Sequence, residues 1–226
     1  MALHLQTFKT RSITAAVFAV VMLSGLFINA TLFNSLFIFI MLGCILEFAK
    51  IMGIITKKKM SWYTLLAFPY IVLPFLELID LGNHSFLGDV QFSPTIPAGI
   101  IFSIWINDTG AYIIGSLIGK TPLTLISPKK TWEGTVGGII LSTLVITLLS
   151  LLIKPANIFN WYHWTAIALI CGVFGTLGDL LESKIKRLAN IKDSGNIMPG
   201  HGGFLDRFDS LLMAAPIVWV YTKLFF

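Results

Sequence analysis

Residues 183–210 read SKIKRLANIKDSGNIMPGHGGFLDRFDS, a polar stretch set between two apolar runs, and its reading decides how the chain is organised. It holds five of the sixteen Lys/Arg residues (Lys184, Lys186, Arg187, Lys192, Arg207) and three of the eleven acids (Asp193, Asp206, Asp209). They surround a turn, Gly200-His201-Gly202-Gly203. A loop that only joined two membrane helices would need no such density of charge. Basic residues, a glycine turn and paired carboxylates together suit a phosphate held by backbone amides and a divalent cation.

Working outward, the rest of the chain is overwhelmingly apolar. Hydrophobic residues make up 56% and charged residues 12%, against roughly 25% charged in a soluble domain. The mean hydropathy is +0.84. The fold class that follows is all-α, a polytopic transmembrane helix bundle. Seven apolar segments, near 12–30, 32–49, 62–82, 98–118, 135–153, 161–181 and 211–226, approach the ~20 residues that a span requires. The first is read as an uncleaved helix, because further spans follow it. Residues 1–97 are read as N-terminal transmembrane helices and 98–226 as the region that carries the chemistry. Cys44 and Cys171 both fall inside apolar runs, so buried thiols are expected and no disulfide framework.

If the crossings alternate, the N-terminus and the segments 50–61, 119–134 and 182–210 share one side. That side holds 14 Lys/Arg residues and the other holds 2, Lys154 and Lys223. The positive-inside rule makes the richer side cytoplasmic, where nucleotides are. The net charge of +5 is therefore a topology signal, and no nucleic-acid partner is inferred from it. The 83–97 segment, with His84 and Asp89, reads as an ordinary connector on the opposite face.

Three constellations converge on the cytoplasmic side. Asp206 and Asp209 stand three apart at the start of the last span and so share a helical face. Acids there can hold a metal, or they can simply cap the helix and answer its dipole. Asp179 and Glu182 close the sixth span, where carboxylates oppose the dipole and need a cation nearby. Lys184, Lys186 and Arg187 could supply a plain salt bridge; a metal shared with Asp206 and Asp209 is the other reading. Asp108 lies inside an apolar span, which marks a paired or functional site, and it opens a stretch that runs through Gly115 and Gly119-Lys120 to Ser127-Pro128-Lys129-Lys130-Thr131-Trp132-Glu133-Gly134. The spacing Gly115-x-x-x-Gly119 suits close helix packing better than a ligand loop.

These residues carry a resemblance. Ser183, Lys186-Arg187, Lys192-Asp193, Pro199 to Gly203, Asp206-Arg207 and Asp209 resemble, at their spacings, the pattern of the phosphatidate cytidylyltransferases. Met198 is the one small departure, at a position where Leu, Ile or Phe is expected. The Asp108-Thr-Gly-Ala-Tyr112, Gly119-Lys120 and Ser127–Gly134 stretch resembles the middle of the same family. The resemblance covers roughly 107–134 and 175–215. Members of that family run longer, with the shortfall expected between about 56 and 98.

What the resemblance implies is transfer of a cytidylyl group from CTP to phosphatidate at the cytoplasmic face of a bacterial inner membrane. Both substrates and the bilayer would be partners, and a homodimer is admitted. It implies Mg²⁺, with a monovalent cation beside it as an option, held by Asp179, Asp206 and Asp209. The catalytic set is then Asp179, Lys186, Arg187, Asp206 and Asp209. Substrate would be bound by Asp108, Ser127, Lys129, Lys130, Thr131, Glu133, Lys192, His201, Gly202, Gly203 and Arg207. His201 is expected to donate to phosphate or shape the turn rather than act as a base, since a phosphate monoester has a second pKa of about 6 and is largely ionised at pH 7. Two rivals remain. The nearer, from the same superfamily, is a CTP-dependent archaeal-type lipid cytidylyltransferase or a polyprenol kinase; the kinase would pass the γ-phosphoryl group to an alcohol and need a base. A transporter using Asp108 and Glu77 would spread polar residues through the bilayer depth, whereas seven of the eleven acids gather in or near the cytoplasmic motifs.

Overall fold

The structure is a computed structural model and describes residues 5–57, 62–83, 92–153, 158–197 and 202–226. The helices are α1 (Leu5–Phe27), α2 (Ala30–Thr56), α3 (Leu73–Asn83), α4 (Thr95–Ile118), α5 (Trp132–Leu152), α6 (Trp161–Leu188) and α7 (Leu205–Phe225). A 3₁₀ turn (Trp62–Leu66) and a π turn (Phe68–Val72) lead into α3. No strand occurs among the described residues; a single bridge joins Pro122 and Thr131. Six segments are long and apolar enough to cross a membrane, and Ser12–Phe27 within α1 is a shorter apolar helix. The expected all-α bundle of about seven spans is what forms.

Local chemistry sets the helix ends. The Asn29 side chain accepts from the Leu32 amide at 2.8 Å and so starts α2. Thr131 does the same for α5, accepting from Gly134 at 3.2 Å. The third span is not one regular helix. Pro69 and Pro74 each lack an amide hydrogen and crowd the preceding turn, so the path runs from 3₁₀ through π to α. The sixth and seventh segments reach further into the polar stretch than hydropathy suggests. α6 runs on to Leu188 and α7 begins at Leu205, so Asp179, Glu182, Lys186, Asp206 and Asp209 are all helical.

In the bundle α4 lies along α5, α5 along α6, and α6 along α7, with α3 packed on α7. Close approach is built in by glycine. A Cβ on Gly138 would stand 2.8 Å from the Ala111 amide nitrogen, so α4 and α5 touch backbone to backbone. The core is aromatic and aliphatic, centred on Phe33, Phe37, Phe75, Ile100 and Ile167. At the end opposite the polar loops, Asp80 pairs with Lys223 at 3.1 Å and accepts from Trp219 Nε1 at 2.7 Å. His163, which has no evident partner from sequence, shares a 2.8 Å hydrogen bond with the Tyr221 hydroxyl. His84, Asp89 and Pro199 to His201 lie outside the described residues.

Candidate active site

The site is assembled where α6 meets α7. Gly175 and Gly178 face α7; a Cβ on Gly175 would stand 3.3 Å from Ser210 Cβ, and one on Gly178 would strike the Asp209 carbonyl oxygen. With the two backbones this close, the acids on facing turns are forced together. Asp179, Glu182 and Asp209 each place a carboxylate oxygen within 4.8 Å of the others. Carboxylates so near repel unless a cation stands among them. Glu182 is 0% exposed. It forms an ion pair with Lys186, one turn along α6, while its Oε1 meets no hydrogen-bond donor among the described residues. Asp179 is paired with Lys130 from the 119–131 loop and accepts from Ser183 Oγ at 3.3 Å. Asp108 on α4 is within electrostatic reach of Lys130, Asp179, Arg207 and Asp209.

The 119–131 loop is folded back on itself so that Lys130 can reach α6. Leu123 N donates to Lys130 O at 2.7 Å, and Trp132 N donates to Thr121 O at 3.0 Å. Glu133 pins the loop's start, accepting from Lys120 N and Thr121 N at 3.2 Å and from Thr121 Oγ1 at 2.8 Å. The Ser127 carbonyl accepts from Lys130 N at 3.0 Å. Ser127, Thr131 and Glu133 therefore shape the loop that delivers Lys130, and the Lys129 side chain is left exposed.

Asp206 does something different from its neighbour one turn on. Its Oδ1 takes the Lys186 ammonium at 2.6 Å. Its Oδ2 accepts from Ser194 N at 2.8 Å, Ser194 Oγ at 2.9 Å and Gly203 N at 2.8 Å. Both oxygens are committed to the lysine and the loop. From sequence alone Asp206 is grouped with Asp179 and Asp209; the geometry groups Glu182 with them instead. The glycines differ from expectation too. Gly202 has φ +84°, and a Cβ there would stand 2.5 Å from Asp206 Oδ2, while one on Gly203 would reach the Glu47 carboxylate at 2.5 Å from Cδ. The space they clear holds the protein's own carboxylates. Arg187 donates to the Ile191 carbonyl at 3.0 Å and so turns the chain after α6. Lys192 and Arg207 are exposed and make no ion pair among the described residues.

Glu47 on α2 is not among the residues that motif or charge pattern singles out. It is 7% exposed. It accepts from Ser194 Oγ at 2.7 Å, Phe204 N at 3.0 Å and Leu205 N at 2.9 Å. The available signal is a lone carboxylate within a 27-residue apolar helix, the same reason that marks Asp108.

A membrane-embedded helical bundle that gathers carboxylates and lysines at one end has the groups to hold a divalent cation and phosphate oxygens. The chain belongs to the Cytidylyltransferase family, whose sequence profile it matches over residues 56–225. It is similar to the phosphatidate cytidylyltransferase of Staphylococcus saprophyticus subsp. saprophyticus, at 39% identity over 170 residues, covering 73% of this chain and 62% of that one. With the phosphatidate cytidylyltransferase of Bacillus subtilis it shares 39% over 171 residues, 75% of this chain and 61% of that one. With that of Staphylococcus haemolyticus it shares 47% over 116 residues, 51% of this chain and 44% of the other. The match thus spans about three fifths of the length of the first two relatives.

Proposed function

We propose that the chain transfers the cytidylyl group of CTP to phosphatidate, giving CDP-diacylglycerol and pyrophosphate for phospholipid synthesis at the cytoplasmic face of a bacterial inner membrane. The observation that carries this reading is the meeting of Asp179, Glu182 and Asp209 within 4.8 Å beside Lys130 and Lys186. The names of the similar bacterial proteins support the choice of nucleotide and lipid.

The donor set fits Mg²⁺: three carboxylates, hard oxygen ligands, one of them a buried Glu182 with an oxygen that no donor among the described residues serves. Asp179, Glu182 and Asp209 would hold the ion, which supplies neutralisation of phosphate charge and of the departing pyrophosphate. Asp108 is the next carboxylate available to a monovalent cation. Asp206, filled by its own donors, stays outside that set.

The phosphate monoester of phosphatidate forms a bond to the α-phosphorus of CTP while the bond from that phosphorus to the oxygen bridging to Pβ breaks. The nucleophile is already largely ionised at pH 7, so no protein group has to take a proton. The chain's task is placement and charge. Exposed Lys129, Lys192 and Arg207 bind phosphates, Lys130 joins them from its place on Asp179, and Lys186 with Arg187 keeps the frame. A site at the membrane boundary admits CTP from water and the lipid from the bilayer.

The test is purified full chain with CTP, phosphatidate and Mg²⁺, read by mass analysis of the lipid product. CDP-diacylglycerol formation that disappears in Asp209→Asn is the expected result; no CDP-lipid from a folded wild-type protein contradicts the proposal.

A further inference from the structure

Glu47 lies upstream of the segment that matches the family profile, which begins at residue 56, yet its carboxylate enters the centre of the 194–205 loop. α2 presents Phe39, Gly43 and Glu47 at four-residue steps, one above the other on a single face. Phe204 packs edge-on against Phe39 at 5.7 Å, and the missing Cβ of Gly43 is where the Phe204 ring lies. The face ends in Glu47, which takes the Phe204 and Leu205 amides, two of the donors that α7 leaves open at its start. Gly195 and Gly203 close around the carboxylate with no side chain between.

From Glu47 a continuous line of polar contacts leads to the acid cluster. Ser194 Oγ stands 2.7 Å from Glu47 and 2.9 Å from Asp206, and its one hydrogen serves a single acceptor at a time. Asp206 holds Lys186 at 2.6 Å, and Lys186 pairs with the buried Glu182. Asp209, a turn beyond Asp206, can meet Asp179 and Glu182 only if α7 starts where it does. We infer that Glu47 is a positioning residue: through the amides of Phe204 and Leu205 and the Ser194 hydroxyl it fixes the register of α7, and with it the geometry of the Asp179–Glu182–Asp209 cluster. Its consequence for turnover rests on the cytidylyl-transfer proposal. Its consequence for the loop does not. The second helix, α2, is then a working part of the site.

A buried carboxylate that receives three hydrogen bonds tolerates little change of shape. Glu47→Gln keeps the size but gives one of the three donors an NH₂ group to face. Glu47→Asp keeps the charge and draws it back by one methylene. Both are compared with wild type in lipid nanodiscs by hydrogen exchange over 194–205 and by separate kcat and KM for CTP. In Glu47→Gln, exchange at Phe204 and Leu205 is expected to rise about tenfold or more with other helices unchanged. kcat should fall about 10–100-fold, the range for a residue that orients a ligand, with KM for CTP within about threefold. Glu47→Asp should restore part of both. If Glu47→Gln does not fold, Ser194→Ala, which removes only the hydroxyl between the two carboxylates, carries the same comparison with Glu47→Asp. Wild-type exchange at 204 and 205, or a fall in kcat with no local change in exchange, overturns the inference. Exchange needs no turnover, so a wild-type chain inert toward CTP would sink the function proposal and leave this one to be judged by exchange.

Discussion

Lys186 on α6 and Asp206 on α7 meet at 2.6 Å, and the same ammonium holds the buried Glu182, so one lysine ties the last helix to the acid cluster. Its place is inside the protein, at 9% exposure.

Lys186→Met should therefore act first on stability. It strands Glu182 and Asp206 without their shared cation, and removing one partner of a buried ion pair costs about 3–5 kcal/mol. Thermal unfolding in detergent should show a clearly lowered midpoint, partly recovered in Lys186→Met with Glu182→Gln. An unchanged midpoint would mean that the pair contributes nothing to the fold.

Asp209→Asn and Asp206→Asn are expected to differ in kind. Both should lower kcat, Asp209→Asn by about 10²–10³-fold because charge stabilisation at the reacting phosphate is lost, and Asp206→Asn because Lys186 and the 194–203 loop lose their shared partner. Only Asp209→Asn should shift the Mg²⁺ concentration needed for half-maximal activity, because Asp206 spends both oxygens on Lys186, Ser194 and Gly203. Near-normal activity of Asp209→Asn in saturating Mg²⁺ would remove it from the metal set; an equal shift in both variants would return Asp206 to that set.

Gly178 sets the separation of α6 and α7. Its missing Cβ would meet the Asp209 carbonyl oxygen, a backbone atom that cannot step aside. Gly178→Ala should thus cost roughly tenfold or more in kcat, in line with the steep dependence of rate on small displacements of reacting groups. Gly172→Ala is the control: its nearest neighbour is Ile139 Cγ1 at 3.0 Å, a side chain that can move. Equal activity of the two variants would show that the helix spacing does not govern the cluster.

The orientation is tested at Asn196, an exposed loop position. The division of 14 Lys/Arg residues against 2 leads us to propose that this loop faces the cytoplasm. Asn196→Cys should react with a membrane-impermeant maleimide only after the membrane is opened. Native Cys44 and Cys171 are buried and should stay silent. Labelling in intact cells would reverse the topology and separate the site from its nucleotide.

Much of this was legible in the sequence because hydropathy and charge act locally. The seven helices follow from apolar windows, and Asp179, Lys130 and Asp209 stand out as charges at span ends. Three things were not legible, each for a physical reason. Asp206 and Asp209 share a face, but spacing cannot say that one is saturated by loop amides and the other is not. Glu182 reads as a helix-end acid; its burial depends on how tightly Gly178 lets α7 approach. Glu47 is distant in sequence from everything it touches, so its partners, 147 to 158 residues away, are set by tertiary packing alone.

The central claim is that the α-phosphorus of CTP passes to a lipid phosphate at the Asp179–Glu182–Asp209 cluster. Its most direct test follows two labels through one reaction of purified wild-type chain with phosphatidate. With CTP labelled at the α-phosphorus, the label should enter the lipid fraction; with CTP labelled at the γ-phosphorus, it should leave in pyrophosphate. Label from the γ position in the lipid, with CDP released, would contradict the claim and make the protein a kinase.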